Sequence, residues 1–310
     1  MGKIAFVFPG QGSQVVGMGQ SAYDQCDAAR ATFAAADAAL GEALSELCFN
    51  GPEDALRLTA NTQPALLTTS VALLRAFGET PDAVVGHSLG EYTANVAAGT
   101  LAFEHAVRLV RVRGTYMQEA VPVGRGAMAA VLGGELAAVE AVLAGAQGVV
   151  EAVNYNSPGQ IVIAGESMAV EQVKPALTAL GCKVMSLPVS APFHSSLMCP
   201  AEERLGPHLH DTPFSEPHMP IYVNVDAQPV TTGDAARDAL IRQVSRPVHF
   251  LTSVQRMRAD GISLCVEIGP GKVLAGLIKR IDRTLPCVNV QSPADFESAR
   301  AAMAEVRASR

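Results

Sequence analysis

A strand, a sharp turn and a helix can be read in direct succession at one place in this chain, and that place limits the fold more than any other. Residues 83–85 are apolar, Gly86-His87-Ser88-Leu89-Gly90 follows at once, and residues 91–98 read as helix. The five-residue stretch matches G-x-S-x-G, the pattern of a nucleophile elbow. So sharp a turn needs both glycines, because side chains two before and two after the serine would collide. It lifts the Ser88 hydroxyl to the amino end of a helix, where unpaired backbone N–H groups and the helix dipole favour an oxyanion. Strand, turn and helix in this order point to a parallel α/β sheet.

Other segments fit around that unit. Residues 4–8 read as a first strand running into the turn Pro9-Gly10-Gln11-Gly12-Ser13-Gln14. Ala-rich stretches at 28–47 and 64–77 read as helices, the second starting at Asn61-Thr62-Gln63-Pro64. From 126 to 188 the pattern changes to strand (127–132), helix (135–143), strand (149–154), strand (160–164), helix (168–180) and strand (183–187). That β-α-β-β-α-β order is the split βαβ arrangement of ferredoxin-like domains, with Asn156-Ser157-Pro158-Gly159 turning its central hairpin. The chain then returns to the larger unit, with strands at 221–224 and 264–268 and a terminal surface helix at 294–306. The expected organisation is a large catalytic domain from 1–125 and 190–310, interrupted by a small subdomain at 126–189. With 310 residues, 49% of them hydrophobic, the chain is long enough to bury both cores.

Several function classes drop out on composition. Lys and Arg total 23 against 30 Asp and Glu, a formal charge of −7, which gives no electrostatic footprint for nucleic acid. Trp is absent and aromatics are 5%, so base-stacking platforms are not expected either. The six cysteines are scattered without a C-x-x-C pair, which suits reduced thiols in a cytoplasmic protein better than a zinc site or a disulfide framework. No apolar run reaches the ~18 residues a bilayer span requires, and no signal peptide is read at the amino end.

A serine nucleophile needs a base. His87 lies inside the elbow and is expected to point away from Ser88; His105, His208 and His210 fall in polar surroundings. His194, in Ala191-Pro192-Phe193-His194-Ser195-Ser196, and His249, in Pro247-Val248-His249-Phe250, remain, and spacing does not choose between them. The helix at 103–117 adds a sharper clue. Ala106, Val110 and Met117 form an apolar stripe, Arg113 falls within it, and Arg108 and Arg111 take the opposite face. A guanidinium on a core-facing position is costly unless an anion or acceptors meet it. Either an internal acid pairs with Arg113, or Arg113 faces a cleft and grips a ligand carboxylate with its planar fork.

Taken together, Phe8-Pro9-Gly10-Gln11-Gly12-Ser13-Gln14, Gly86-His87-Ser88-Leu89-Gly90-Glu91, Arg113-Gly114 with Met117-Gln118, Asn154-Tyr155-Asn156-Ser157-Pro158-Gly159-Gln160, Pro192-Phe193-His194-Ser195 and Glu267-Ile268-Gly269-Pro270-Gly271-Lys272 resemble the malonyl-CoA:acyl-carrier-protein transacylases. The match spans nearly the whole chain in the family's order. The resemblance implies an α/β-hydrolase-like, parallel-sheet large domain with an inserted ferredoxin-like subdomain. By motif it implies Ser88 as the acylated nucleophile, His194 as the base, the backbone N–H groups of Gln11 and Leu89 as the oxyanion hole, and Arg113 as the binder of the malonyl carboxylate. Gln63 is implied to line the same pocket, and Phe193 and Leu89 resemble the malonyl-selective pattern. A backbone carbonyl from residues 247–250 is implied to orient the imidazole; relatives often carry Gln or Arg where this chain has His249. The implied partners are malonyl-CoA as substrate and acyl carrier protein, whose own phosphopantetheine supplies the acceptor thiol. No cofactor, metal, nucleic acid or membrane is implied, and a monomer is expected. Lys272, Lys279, Arg280 and Arg283 form the candidate basic patch for an acidic carrier, or an ordinary solvated helix face.

Overall fold

The computed structural model describes residues 2–189 and 191–308. Its strands, in chain order, are β1 (Lys3–Phe8), β2 (Ala83–Gly86), β3 (Gly126–Leu132), β4 (Val150–Ser157), β5 (Gln160–Glu166), β6 (Lys183–Ser186), β7 (Ile221–Tyr222), β8 (Pro229–Val230), β9 (Ile262–Ile268) and β10 (Cys287–Val290). One sheet has the order β10-β9-β1-β2-β7-β8, parallel except for β8. The other has the order β4-β5-β3-β6 and is antiparallel throughout.

Side-chain alternation along β1 explains why the large sheet is covered on both faces. Ile4, Phe6 and Phe8 join one apolar cluster, with the helices Asp27–Leu40, Thr59–Phe77 and Phe103–Glu119 against them. Ala5 and Val7 join the opposite cluster, with the helices Phe250–Ala259 and Val273–Ile281. The small sheet treats its two faces differently. Ala129, Val131, Ile161 and Ile163 pack under the helices Leu136–Ala144 and Ser167–Ala179. Met128, Val162 and Ala164, on the other face, join the core of the large sheet. The protein is thus an α/β fold of the α/β-hydrolase-like kind with a ferredoxin-like insertion, and the insertion lies over the carboxyl end of β2, where the elbow sits.

Two helix boundaries differ from expectation. The stretch read as one helix over 28–47 breaks at Gly41, whose φ of 70° ends the helix Asp27–Leu40 before Leu44–Asn50 begins. The helix expected to start at 61–64 begins five residues before Pro64, at Thr59, after an extended Leu58 whose carbonyl accepts from the N–H groups of Asn61 and Thr62. Pro64 therefore lies inside its second turn. Residues 221–224, read as one strand, pair only at Ile221–Tyr222; Asn224 turns instead beneath the elbow. Among the described residues, no helix is long and apolar enough to cross a membrane.

Candidate active site

The elbow is as tight as its glycines require. A Cβ built on Gly86 would lie 1.8 Å from the Gly90 carbonyl carbon, and one on Gly90 would lie 2.1 Å from the Phe8 oxygen. Between them Ser88 adopts a φ of 52°, a left-handed conformation that costs a non-glycine residue energy and is found where geometry matters for chemistry. Its hydroxyl stands at the start of the helix Gly90–Ala97.

His194 also has a positive φ, 63°, in a tight turn that Ser195 closes by donating its hydroxyl to the Pro192 carbonyl at 2.6 Å. The turn delivers the ring to the elbow serine: Ser88 Oγ and His194 Nε2 are 2.7 Å apart. His194 Nδ1 lies 2.8 Å from the Gln243 carbonyl. A carbonyl only accepts, so Nδ1 carries the proton and Nε2 is left as acceptor for the Ser88 hydroxyl. Burial, and secondarily the Arg113 charge, push the imidazole down to about 3, so it is neutral at ordinary pH. His249, the other candidate, is not at the site; its ring stacks on Tyr155 with centroids 4.9 Å apart. His87 turns away from Ser88, its Nε2 2.8 Å from Asn156 Oδ1.

The orienting carbonyl comes from Gln243, not from residues 247–250 as the resemblance implied. Gln243 follows the last residue of the helix Gly233–Arg242, where carbonyls have no partner within the helix and are available to a side chain. The 247–250 backbone is already engaged. Val248 exchanges hydrogen bonds with Val153 and Tyr155 beside β4, and the His249 carbonyl accepts from Ser253.

Arg113 is 1% exposed. Its helix lies backbone to backbone against Thr59–Phe77, since a Cβ on Gly114 would lie 2.7 Å from the Thr59 oxygen. That approach lets Arg113 Nη1 donate to Gln63 Oε1 at 2.9 Å. Nη2 donates to Gln243 Oε1 at 2.9 Å and lies 3.4 Å from Ser88 Oγ. The Tyr92 ring is 5.5 Å from the guanidinium carbon. Among the described residues no carboxylate forms an ion pair with Arg113, and its Nε has no partner. Of the two orientations open from the helix periodicity, Arg113 takes the one that faces the cavity. Arg108 on the far face is exposed, and Arg111 is half-buried against Glu42.

Ser88, His194, Arg113, Gln63, Gln11, Leu89 and Phe193 all line one cavity of about 110 Å³ between the two sheets, closed on the insertion side by Met128 and Val162. Gln11 comes from the loop after β1 and donates its side-chain amide to Thr59 Oγ1 at 3.2 Å. The backbone N–H groups of Gln11 and Leu89 donate to no protein acceptor among the described residues. Two residues that sequence reasoning missed belong to the same arrangement, Gln243 and Asn224. Neither has a motif around it that betrays a role; each acts through its place at an element's end.

The chain matches the acyl transferase domain family over residues 5–294. It is 49% identical over 306 residues to a malonyl CoA-acyl carrier protein transacylase of Escherichia coli K12, with 96% of this chain and 99% of the relative aligned. An acyl carrier protein S-malonyltransferase from Vibrio cholerae superposes with a TM-score of 0.93 at 45% identity, covering 96% of this chain and 99% of that one. A malonyl-transacylase solved in complex with a type II PKS acyl-carrier protein superposes equally well, TM-score 0.93 at 42% identity, over 96% of this chain and 98% of that one. With a shared fold, near-complete coverage and close to half the residues identical, the chain belongs to the malonyl CoA-acyl carrier protein transacylases of the acyl transferase family.

Proposed function

We propose that this protein transfers the malonyl group of malonyl-CoA to the phosphopantetheine thiol of acyl carrier protein, by a ping-pong route through a malonyl-Ser88 intermediate. The observation that carries the reading is the position of Arg113. A buried cation with no acid partner among the described residues sits 3.4 Å from the Ser88 hydroxyl, inside the same cavity. An acyl group held on Ser88 with a carboxylate at its far end answers both the chemistry and the charge.

In the first half-reaction Ser88 Oγ attacks the thioester carbonyl carbon while its proton passes to His194 Nε2. Negative charge moves onto the carbonyl oxygen, facing the N–H groups of Gln11 and Leu89. The C–S bond then breaks, and the CoA sulfur takes the proton back from His194. In the second half, the carrier's thiol gives its proton to His194 and attacks the malonyl-serine; the C–O bond breaks and Ser88 recovers its proton. Arg113 contributes twice. Its fork holds the malonyl carboxylate, and before substrate arrives its charge depresses the basicity of His194. A carboxylate seated on Arg113 offsets that charge, so the base strengthens when the acid-tipped substrate is in place.

Residues 1–125 and 190–310, which contribute the strands of the large sheet, are assigned the catalytic domain, and the insertion at 126–189 the wall over the acyl pocket. Phe193 is assigned the steric limit on substituted malonyl groups. The carrier is assigned to the basic patch on the helix Val273–Ile281 and its two ends, where Lys279 and Arg280 of the helix and the flanking Lys272 and Arg283 are exposed and Arg280 also reaches Gln160 of the insertion. A cytoplasmic monomer supplying fatty-acid synthesis is the setting proposed. Service to a polyketide carrier is the second reading, favoured by the likeness to the transacylase solved with such a carrier. Intact-mass analysis after mixing enzyme, malonyl-CoA and holo carrier protein tests the proposal. Malonylation of wild-type enzyme and then of carrier is expected, with none in Ser88→Ala; hydrolysis of malonyl-CoA as fast as transfer would instead mark a thioesterase.

A further inference from the structure

Two fully buried polar residues under the elbow take no part in the proton transfers above. The side chain of Asn224 straddles the turn: Oδ1 accepts from the Ser88 N–H at 2.7 Å, and Nδ2 donates to the Gly86 carbonyl at 2.6 Å. Glu91 lies behind it. One carboxylate oxygen, Oε2, accepts from the Asn224 N–H at 2.7 Å and from Gln243 Nε2 at 3.0 Å, while Oε1 has no hydrogen-bond partner among the described residues. Gln243 Nε2 also lies 3.0 Å from the Ser88 carbonyl. The same oxygen therefore anchors the residue clamped across the nucleophile and the residue whose main-chain carbonyl orients the base. Neither Glu91 nor Asn224 lines the active-site cavity.

A serine at φ 52° is held there only if its surroundings over-determine the turn. Asn224 satisfies both backbone groups flanking His87, which a relaxed turn would release. Resting on the acyl-transfer reading, we propose that Asn224, seated on Glu91, is a positioning residue that keeps the Ser88 hydroxyl in reach of His194. Glu91 acts in this clamp as a hydrogen-bond acceptor, and its charge is not required.

The test measures acylation of Ser88 by malonyl-CoA in single turnover, beside malonyl-CoA affinity in a Ser88→Ala background. Asn224→Ala is expected to slow acylation by about 10²-fold, the scale on which a displacement of about 1 Å acts, and to leave affinity unchanged. Glu91→Gln, whose amide oxygen accepts the same two bonds, is expected to keep most of the rate, whereas Glu91→Ala falls with Asn224→Ala. Asn224→Asp, equal in size but without a donor for the Gly86 carbonyl, carries the test if the alanine variant does not fold; its rate is expected to drop with affinity intact. Wild-type acylation in the Asn224 variants, or a loss of rate matched by an equal loss of affinity, overturns the clamp. Glu91→Gln as slow as Glu91→Ala overturns the acceptor role. Wild-type acylation is recorded in parallel, so failure of the reaction itself is distinguished from failure of the clamp.

Discussion

Replacing Arg113 by alanine should convert a malonyl-selective site into one indifferent to the acid group. The guanidinium is 1% exposed and held by two amide oxygens, from Gln63 and Gln243, which present to the malonyl carboxylate only acceptors once the cation is removed. A malonyl carboxylate entering the Arg113→Ala pocket is a buried charge without its partner, a loss of about 3–5 kcal/mol. At about 1.36 kcal/mol per decade, that is about 10²- to 10⁴-fold in kcat/KM for malonyl-CoA. Acetyl-CoA behaves oppositely. In the wild-type site its methyl group leaves the cation desolvated and unpaired, a penalty that disappears with the side chain. Acetyl transfer is therefore expected to hold or rise as malonyl transfer collapses. The assay is burst release of CoA with each thioester, with Ser88 acylation confirmed by mass; Arg113→Lys keeps the charge but not the fork and should fall between. Equal losses with both thioesters would show that Arg113 only supports the fold around Gln243, and the selectivity argument would be refuted.

Because burial and Arg113 push His194 down to about 3, the free enzyme keeps its base neutral far into acid. The kcat/KM for acylation should stay near its plateau at pH 5, where an imidazole titrating near 6.5 would be only about 3% neutral, and Arg113→Ala should move the acid limb upward; an acid limb near 6.5 in the wild type contradicts this. The unfolded state binds the proton that folded His194 refuses, so stability should decline as pH falls below about 6.5, and melting curves at each pH separate that effect from catalysis. Gly86→Ala, with a Cβ 1.8 Å from the Gly90 carbonyl carbon, should cost more than about 4 kcal/mol or prevent folding; a denaturant midpoint like the wild type's would show the elbow to be slack. Charge reversal at Lys279 and Arg280 should raise KM for the carrier protein while leaving the malonyl-CoA half-reaction unchanged, and an unaltered carrier KM removes the patch from consideration.

What could be read from the chain was whatever shows itself in side-chain pattern. G-x-S-x-G declares a turn because both glycines are sterically forced, and the structure shows the clashes that force them. Arg113 declared itself by interrupting an apolar stripe, and the β-α-β-β-α-β order of the insertion followed from alternating periodicities. The orienting carbonyl of His194 carries no such mark. Any residue type can supply a main-chain oxygen, and which one does depends on where the helix Gly233–Arg242 ends and on the 247–250 backbone being engaged beside β4. Asn224 was hidden for a related reason. It sits at the end of an apolar run that reads as strand, and only the pairing limits of β7 free it to turn beneath Ser88.

Among the described residues a backbone carbonyl, not an acid, meets His194 Nδ1, and that choice is tied to the cation across the cavity. A carboxylate on His194 Nδ1 would strengthen the base, but it would also stand in a buried pocket within reach of an unpaired guanidinium. Two such groups would pair, and the malonyl carboxylate would then compete with an internal partner for Arg113. A neutral carbonyl orients the ring without that competition. The nearest buried acid in the hydrogen-bond network, Glu91, is kept one amide away. Gln243 presents Nε2 to Glu91 and Oε1 to Arg113, so the two never touch. Burial raises the Glu91 carboxyl to about 7, which weakens its hold on the cation further. On this argument, an acid orienting His194 and an acid-tipped acyl group on Ser88 would compete for the same buried guanidinium in this pocket. Introducing an acid beside His194 should therefore lower malonyl selectivity even where it raises the reactivity of Ser88.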